Sequence, residues 1–236
     1  MNDKTKICVI VIILCHLLFA LMCVDFALMH NINYNVDARN NISFESRKIN
    51  FEVNDVPYEY ELDYEQDLQL PELPTGCEAT ALGTLLRMNG VYVTKFEIAD
   101  AMPKSMTGEF VNHFWGNPYS KYNGWACMAP CSVKTANMFL DTDYKIAVEH
   151  TGIDLEHLSL PAVVWVTMYL QEPVPTKYES QGYKLFGNPH CVVVQCVDDE
   201  RVCVIDPLVG IVEYPIVKFE EVYKALGSQA VWIENV

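Results

Sequence analysis

A cysteine placed in the first turn of an apolar helix is the feature that most restricts what this chain can become. It lies in LPTGCEATALGTLLRMNG, Leu73 to Gly90. Thr75 followed three residues later by Glu78 is the pattern of a capping box, which predicts Thr75 as N-cap and Gly76, Cys77 and Glu78 as the first helical positions. Ala81, Leu82, Leu85 and Leu86 then recur at helical spacing, and Asn89-Gly90 supplies the stop. A first-turn cysteine is surrounded by backbone N–H groups and sits at the positive end of the helix dipole. Both favour the thiolate, which is the nucleophilic form. Gly76 is expected to keep the approach to the sulfur open. The competing reading of Cys77 is a small buried hydrophobe, a common fate of free cysteine.

The 236 residues suit one ordinary domain plus an appendage, and 51% hydrophobic residues provide a core. A net charge of -15 excludes nucleic acid as a partner, because such binding needs a basic face. Of the nine cysteines, Cys8, Cys15 and Cys23 fall in an N-terminal apolar run. Cys77, Cys127, Cys131, Cys191, Cys196 and Cys203 lack the paired spacings of a zinc site, and the chain is long for a disulfide framework. Cys127 and Cys131 flank Met-Ala-Pro, where a bridge or a metal stays open as an alternative. No metal or organic cofactor is otherwise implied.

The run Ile7 to Val24 holds about 18 residues interrupted only by His16, close to the length that spans a bilayer. Lys4 and Lys6 precede it and Asp25 follows, so the positive-inside rule leaves the N-terminus in the cytoplasm and exports the rest. No small-residue cleavage pattern follows, which favours an uncleaved anchor over a signal peptide. Residues 1–28 are therefore expected to be a transmembrane signal-anchor. Residues 29–54 form an Asn-rich stalk with a short strand near Ile49 to Val53, and residues 55–236 a globular domain.

Within that domain, Thr94 and Glu97 form a second capping box for a helix ended by Pro103. Residues 105–127 form a long loop crowded with Phe114, Trp115, Tyr119, Tyr122 and Trp125, able to wall a substrate groove or to cover the core. Pro130 suits the start of a helix running to about Leu140. Ala162 to Met168, His190 to Val197, Val202 to Asp206, Ile211 to Tyr214 and Gln229 to Ile233 read as strands, with one helix from Lys218 to Leu226. Helices first and strands later predict an α+β fold, an antiparallel sheet packed on the Cys77 helix.

Only His190, of six histidines, opens a strongly apolar strand, and the next strand ends in Asp206-Pro207. Pairing these strands with positions summing to 396 sets His190 directly opposite Asp206, near enough for a carboxylate to hold an imidazole. That register needs an odd-length loop or a bulge, since a shift of one sends the two side chains to opposite faces. Cys191 should point away from His190 and carries no assigned role. A cysteine nucleophile needs an imidazole to keep it ionised and to protonate the leaving group, and the imidazole needs a third group to orient it. The Cys77 N–H with a side-chain donor upstream, Gln69, would complete an oxyanion hole.

These residues sit in stretches that resemble the C39-like cysteine peptidase family of the papain-like superfamily. They are QLPELPTGCEAT (Gln69 to Thr80), GNPYSKYNGWACMAP (Gly116 to Pro130), PAVVWVTM (Pro161 to Met168), NPHCVVV (Asn188 to Val194), VCVIDPLVG (Val202 to Gly210) and FEEVYKALGSQAVWI (Phe219 to Ile233). The resemblance spans about residues 55 to 234. It implies a papain-like fold, with Cys77 as nucleophile, His190 as general base and acid, Asp206 as orienting carboxylate and Gln69 as oxyanion donor. The segment Asp154 to Pro161 is shorter than the family's lead-in to the next strand. Leader-peptide processing, the work of relatives fused to transporters, is not carried over, because this sequence holds no ATPase or further spans. The expected activity is extracytoplasmic hydrolysis of peptide bonds in a peptide or protein substrate. Transfer of the acyl group to an amine, as in a transpeptidase or amidotransferase, uses the same residues. A binding module on a papain-like scaffold is the reading from another class.

Overall fold

The computed structural model describes residues 51–53, 56–58 and 67–236, so the expected anchor and nearly all of the stalk lie outside the described residues. Among the described residues no helix is long and apolar enough to cross a membrane. The chain divides into two units, Met1–Asp63 and Tyr64–Val236. In the first, β1 (Phe51–Val53) pairs antiparallel with β2 (Val56–Tyr58), which meets the expectation of a short strand ending at Val53.

The second unit is α+β, as expected. Its helices are α1 (Cys77–Met88), α2 (Lys95–Ala101), α3 (Ala129–Ala136) and α4 (Ile216–Ala225). Two short strands, β3 (Lys104–Ser105) and β4 (Phe114–Trp115), pair parallel. The main sheet has β5 (Lys145–His150), β6 (Ala162–Thr167), β9 (Pro189–Val197), β10 (Arg201–Asp206), β11 (Gly210–Pro215) and β12 (Ala230–Asn235). Their order across the sheet is β11-β10-β9-β6-β12-β5, and every neighbouring pair is antiparallel. A separate hairpin joins β7 (Pro175–Ser180) to β8 (Tyr183–Phe186).

The two capping-box patterns have different fates. At α2 both halves form: the Thr94 side chain accepts from the Glu97 N–H, and the Glu97 carboxylate accepts from the Thr94 N–H. At α1 the box does not form. The helix starts at Cys77 with Gly76 as N-cap and no side-chain cap. The Thr75 hydroxyl points at the Asn117, Pro118 and Ser120 carbonyls, and the Glu78 carboxyl is drawn into the core, so neither is left for the other. Gly76 answers a packing need instead of clearing a path, since a Cβ there would lie 2.7 Å from the Leu73 Cβ.

α1 carries Glu78 in its first turn and Arg87 in its last, yet it runs deep in the core. Every residue from Cys77 to Leu86 is buried. It packs on β9 and β6 and against α2 and α3, while α4 covers β6, β10 and β11. β6 is buried at all six positions, which requires cover on both faces of the sheet and explains its apolar run from Ala162 to Val166. α3 ends at Ala136, short of the expected Leu140, with Asn137 as C-cap. The Asn137 side chain exchanges two hydrogen bonds with the Ala147 backbone of β5.

The aromatic loop covers a second, smaller apolar cluster. Trp115, Trp125 and Tyr178 meet with ring centroids 4.8 to 5.4 Å apart, over Phe110, Val111, Ala126, Met128 and Leu185. The β7–β8 hairpin that supplies Tyr178 turns through Gln181 and Gly182, both at positive φ, the geometry a two-residue hairpin loop requires. Neither this hairpin nor β5 was expected from the sequence, because both are half-exposed and rich in Lys and Glu.

Cys196 and Cys203 form a cross-strand disulfide between β9 and β10, a pairing not foreseen from cysteine spacing. It closes a short loop, sequence separation 7, and loop-closure entropy makes such a link worth about 2 kcal/mol. The double variant Cys196→Ser/Cys203→Ser should therefore shift the urea midpoint down while leaving Cys77 alkylation unchanged. An unmoved midpoint would refute that contribution.

Candidate active site

Three elements converge on Cys77. It opens α1, where the first-turn N–H groups have no intrahelical acceptors and point past the residue. His190 is the second residue of β9, and Asp206 is the last residue of β10. His190 and Asp206 are each 1% exposed and Cys77 6%.

The strand register delivers the His–Asp pair by a route slightly different from the expected one. The β9–β10 hairpin turns through Asp199 and Glu200, with the Asp198 N–H bonded to the Arg201 carbonyl. Val202 opposite Val197 and Cys203 opposite Cys196 follow from that turn. Continued unchanged, this register would leave Asp206 and His190 on opposite faces. A bulge at Gln195 resets it, so Val204 faces Val194 and Ile205 faces Val193. Asp206 thereby falls opposite Val192, two residues from His190 and on the same face, a diagonal neighbour instead of a direct one. Of the two devices the sequence argument allowed, an odd-length loop or a bulge, the bulge is the one present, and the offset of two is the correction to the expected pairing.

His190 Nε2 lies 2.7 Å from Asp206 Oδ1. The carboxylate is itself fixed: Oδ1 also accepts from the Leu208 N–H at 2.8 Å, and Oδ2 accepts from the Tyr214 hydroxyl at 3.3 Å. Tyr214, on β11, was missed from the sequence. Burial and then Asp206 push its hydroxyl up to about 12, so it stays a donor. With Nε2 committed to Asp206, Nδ1 is the nitrogen left for Cys77. Burial disfavours the imidazolium, but hydrogen bonds to Asp206 and Cys77 outweigh it and raise His190 to about 9.

Cys77 is held well below the ordinary thiol range. The leading cause is a hydrogen bond from Cys191; His190 adds a hydrogen bond and its charge, Glu78 a further hydrogen bond, and burial opposes all of them. Cys191 was expected to play no part. Strand alternation does separate its side chain from that of His190, but α1 lies over β9, and both residues reach the sulfur. The Cys191 thiol itself is pushed up, first by burial and then by Cys77, so it remains protonated as a donor. Glu78, 1% exposed, places Oε2 3.2 Å from the Cys77 sulfur and accepts the Cys127 N–H on Oε1 at 3.0 Å.

Gln69 is buried beside this group, its N–H bonded to the Pro207 carbonyl, which ties it to the turn after Asp206. Its Nε2 donates to the Leu73 and Pro74 carbonyls at 3.2 and 3.3 Å, and its Oε1 has no hydrogen-bond partner. In this conformation its amide faces the loop before α1. Cys127 and Cys131 form no bridge. They also belong to no metal-ligand group: among the described residues, the side chains close enough to share an ion are the exposed Asp154, Glu156 and His157. A cavity of about 620 Å³ lies away from the cysteine, lined by Asp154, Leu158, Val197, Asp198 and Glu220, at the turn end of the β9–β10 ladder.

A cysteine opening a helix, with a buried histidine and aspartate on the adjacent sheet, is an arrangement able to activate a thiol. The Peptidase C39 like family matches residues 53–231. The chain belongs to that family. A crystal structure titled as a C39-like peptidase from Bacillus anthracis is similar at 28% identity and a TM-score of 0.62, covering 74% of this chain and 94% of that one. A double-glycine-motif protease of an AMS/PCAT transporter, solved with its leader peptide, aligns at 15% identity and a TM-score of 0.45, covering 72% and 89%. The peptidase domain of Streptococcus ComA aligns at 12% and 0.45, covering 72% and 98%. No curated protein matches the chain significantly. The C39-like chain thus has the expected α+β fold with an antiparallel sheet, and its family is one of cysteine peptidases.

Proposed function

We propose that this C39-like chain hydrolyses peptide amide bonds through an acyl-enzyme on Cys77. The observation that carries the proposal is the 2.7 Å His190–Asp206 bond, which orients the imidazole while leaving one ring nitrogen for the sulfur. The thiolate attacks the substrate carbonyl carbon, and the oxygen that gains the charge accepts from the Cys77 N–H. Gln69 joins as second donor when substrate draws its amide from the Leu73 and Pro74 carbonyls. Its orphan Oε1 means that turning leaves no bond of that atom behind. His190 gives its proton to the departing amine, then takes one from the water that attacks the thioester, and the thiolate leaves.

The apolar run Ile7 to Val24 would anchor the chain and hold the catalytic unit outside the cytoplasm. The Cys196–Cys203 disulfide favours that oxidising side of the membrane. The test is a peptide mixture incubated with the full chain, read by mass spectrometry for new termini and for acylated Cys77. Cleavage that disappears in Cys77→Ser supports the proposal. An alkylatable Cys77 with no cleavage and no acylation overturns it in favour of a binding module. Acylation released only by added amines would make the chain an acyl transferase.

A further inference from the structure

Glu78 is unused by the mechanism above, yet its carboxyl touches the nucleophile. It is buried, with Oε1 taking the Cys127 N–H at 3.0 Å and Oε2 3.2 Å from the sulfur. One proton is therefore shared between the Cys77 sulfur and Oε2, and it can lie on either atom. We propose that Glu78 is a positioning residue that keeps this proton as a neutral carboxylic acid and donates it to the Cys77 thiolate, holding the sulfur ionised and aimed. The inference rests on the thiol-hydrolase reading and adds to it the group that stabilises the resting and departing thiolate.

Hydrogen-bond inventory supports this assignment. A carboxylic acid offers one acceptor for the Cys127 N–H and one donor for the sulfur, so both oxygens are used in their proper roles. An ionised Glu78 would add a second negative charge beside a thiolate that already has His190 as counter-ion, with no cation among its own hydrogen-bond partners. Burying an uncompensated charge costs several kcal/mol. The groups that face the carboxyl are Cys77 on α1, the Cys127 backbone before α3, and the thiols of Cys127 and Cys191, none of them cationic. Consistently, burial and then Cys77 raise Glu78 well above the carboxylate range while Cys77 is lowered. During attack the sulfur gives up its charge and the O–H···S bond weakens. When the thioester breaks, the returning thiolate finds the donor still in place, and no proton is transferred to or from Glu78 in the cycle.

The test is iodoacetamide alkylation of Cys77 against pH in the full chain, comparing wild type, Glu78→Gln and Glu78→Leu. Glutamine keeps an N–H for the sulfur and a carbonyl for Cys127, so its rate at pH 6 should stay within about threefold of wild type. Leucine removes the donor, so the midpoint should rise by about one pH unit and the rate at pH 6 fall about tenfold. Infrared difference spectra of wild type minus Glu78→Gln at neutral pH should show the C=O stretch of a protonated carboxylic acid, a readout that does not require the leucine variant to fold. A Glu78→Gln midpoint displaced downward by about one unit, an unaltered Glu78→Leu profile, or a missing acid band would each overturn the inference while leaving the hydrolase reading intact. An ordinary thiol profile in wild type would overturn both together.

Discussion

His190→Ala should lower hydrolysis by about 10⁶-fold, the loss typical of removing the imidazole from a nucleophile–imidazole–carboxylate unit. The loss comes from two roles at once: the imidazolium is the counter-ion of the Cys77 thiolate and the acid that protonates the leaving amine. Alkylation needs only the first role. It should therefore fall less, by about 10- to 100-fold at pH 6, a shift of one to two units in the thiol midpoint. The remaining depression of Cys77 belongs to Cys191, Glu78 and the start of α1, which the substitution does not touch. In wild type, peptide hydrolysis should decline as pH rises through about 9, where His190 loses its proton and can no longer serve as acid. Kinetics on a cleaved peptide, alongside mass-spectrometric alkylation rates, separate the two roles. Equal losses in both assays would mean that His190 acts on the sulfur alone.

The parts of this site legible in the sequence are those that depend on near neighbours. The α2 capping box closes because Thr94 and Glu97 meet nothing stronger than each other. The identical pattern at Thr75 and Glu78 misleads, since Thr75 is claimed by loop carbonyls more than 40 residues onward and Glu78 by a backbone N–H 49 residues onward. A signal was present even so: Glu78 is the only charge in a ten-residue stretch buried on every side, and a charge in such a place must be neutralised or paired. The His190–Asp206 partnership was legible in outline because each residue sits at the end of its apolar strand, but which face each takes turns on a register shift of one residue. The bulge at Gln195 that supplies it depends on how β9 fits β6 on one side and β10 on the other, which no local pattern records. Tyr214 and Cys191 reach the site through packing across three strands and a helix, so neither leaves a mark in its own segment.

Asp206→Ala should damage the fold as well as the chemistry, and the pH dependence tells why. The carboxylate takes hydrogen bonds from His190, the Leu208 N–H and the Tyr214 hydroxyl, all inside the protein. Removing it strands a buried imidazolium and two donors, which costs about 3–5 kcal/mol. His190 is raised from its ordinary 6.5 to about 9, with the Asp206 hydrogen bond the largest contribution against burial. A group whose pKa is raised on folding binds its proton more tightly in the native state, so its stabilising contribution is complete below 6.5 and fades as pH climbs through about 9. The destabilisation by Asp206→Ala should therefore be larger at pH 6 than at pH 10, where His190 is neutral in both proteins and only the lost hydrogen bonds remain. Asp206→Asn separates geometry from charge: it can still accept from the Leu208 N–H and from one other donor, so it should recover part of the stability. It should leave hydrolysis depressed by about 10²-fold or more, because an amide neither stabilises the imidazolium nor fixes its tautomer as a carboxylate does. Urea unfolding of the three proteins at pH 6 and pH 10 decides the matter. Equal destabilisation by Asp206→Ala at both pH values would show that Asp206 holds the turn at Pro207 and leaves the charge of His190 to Cys77 alone.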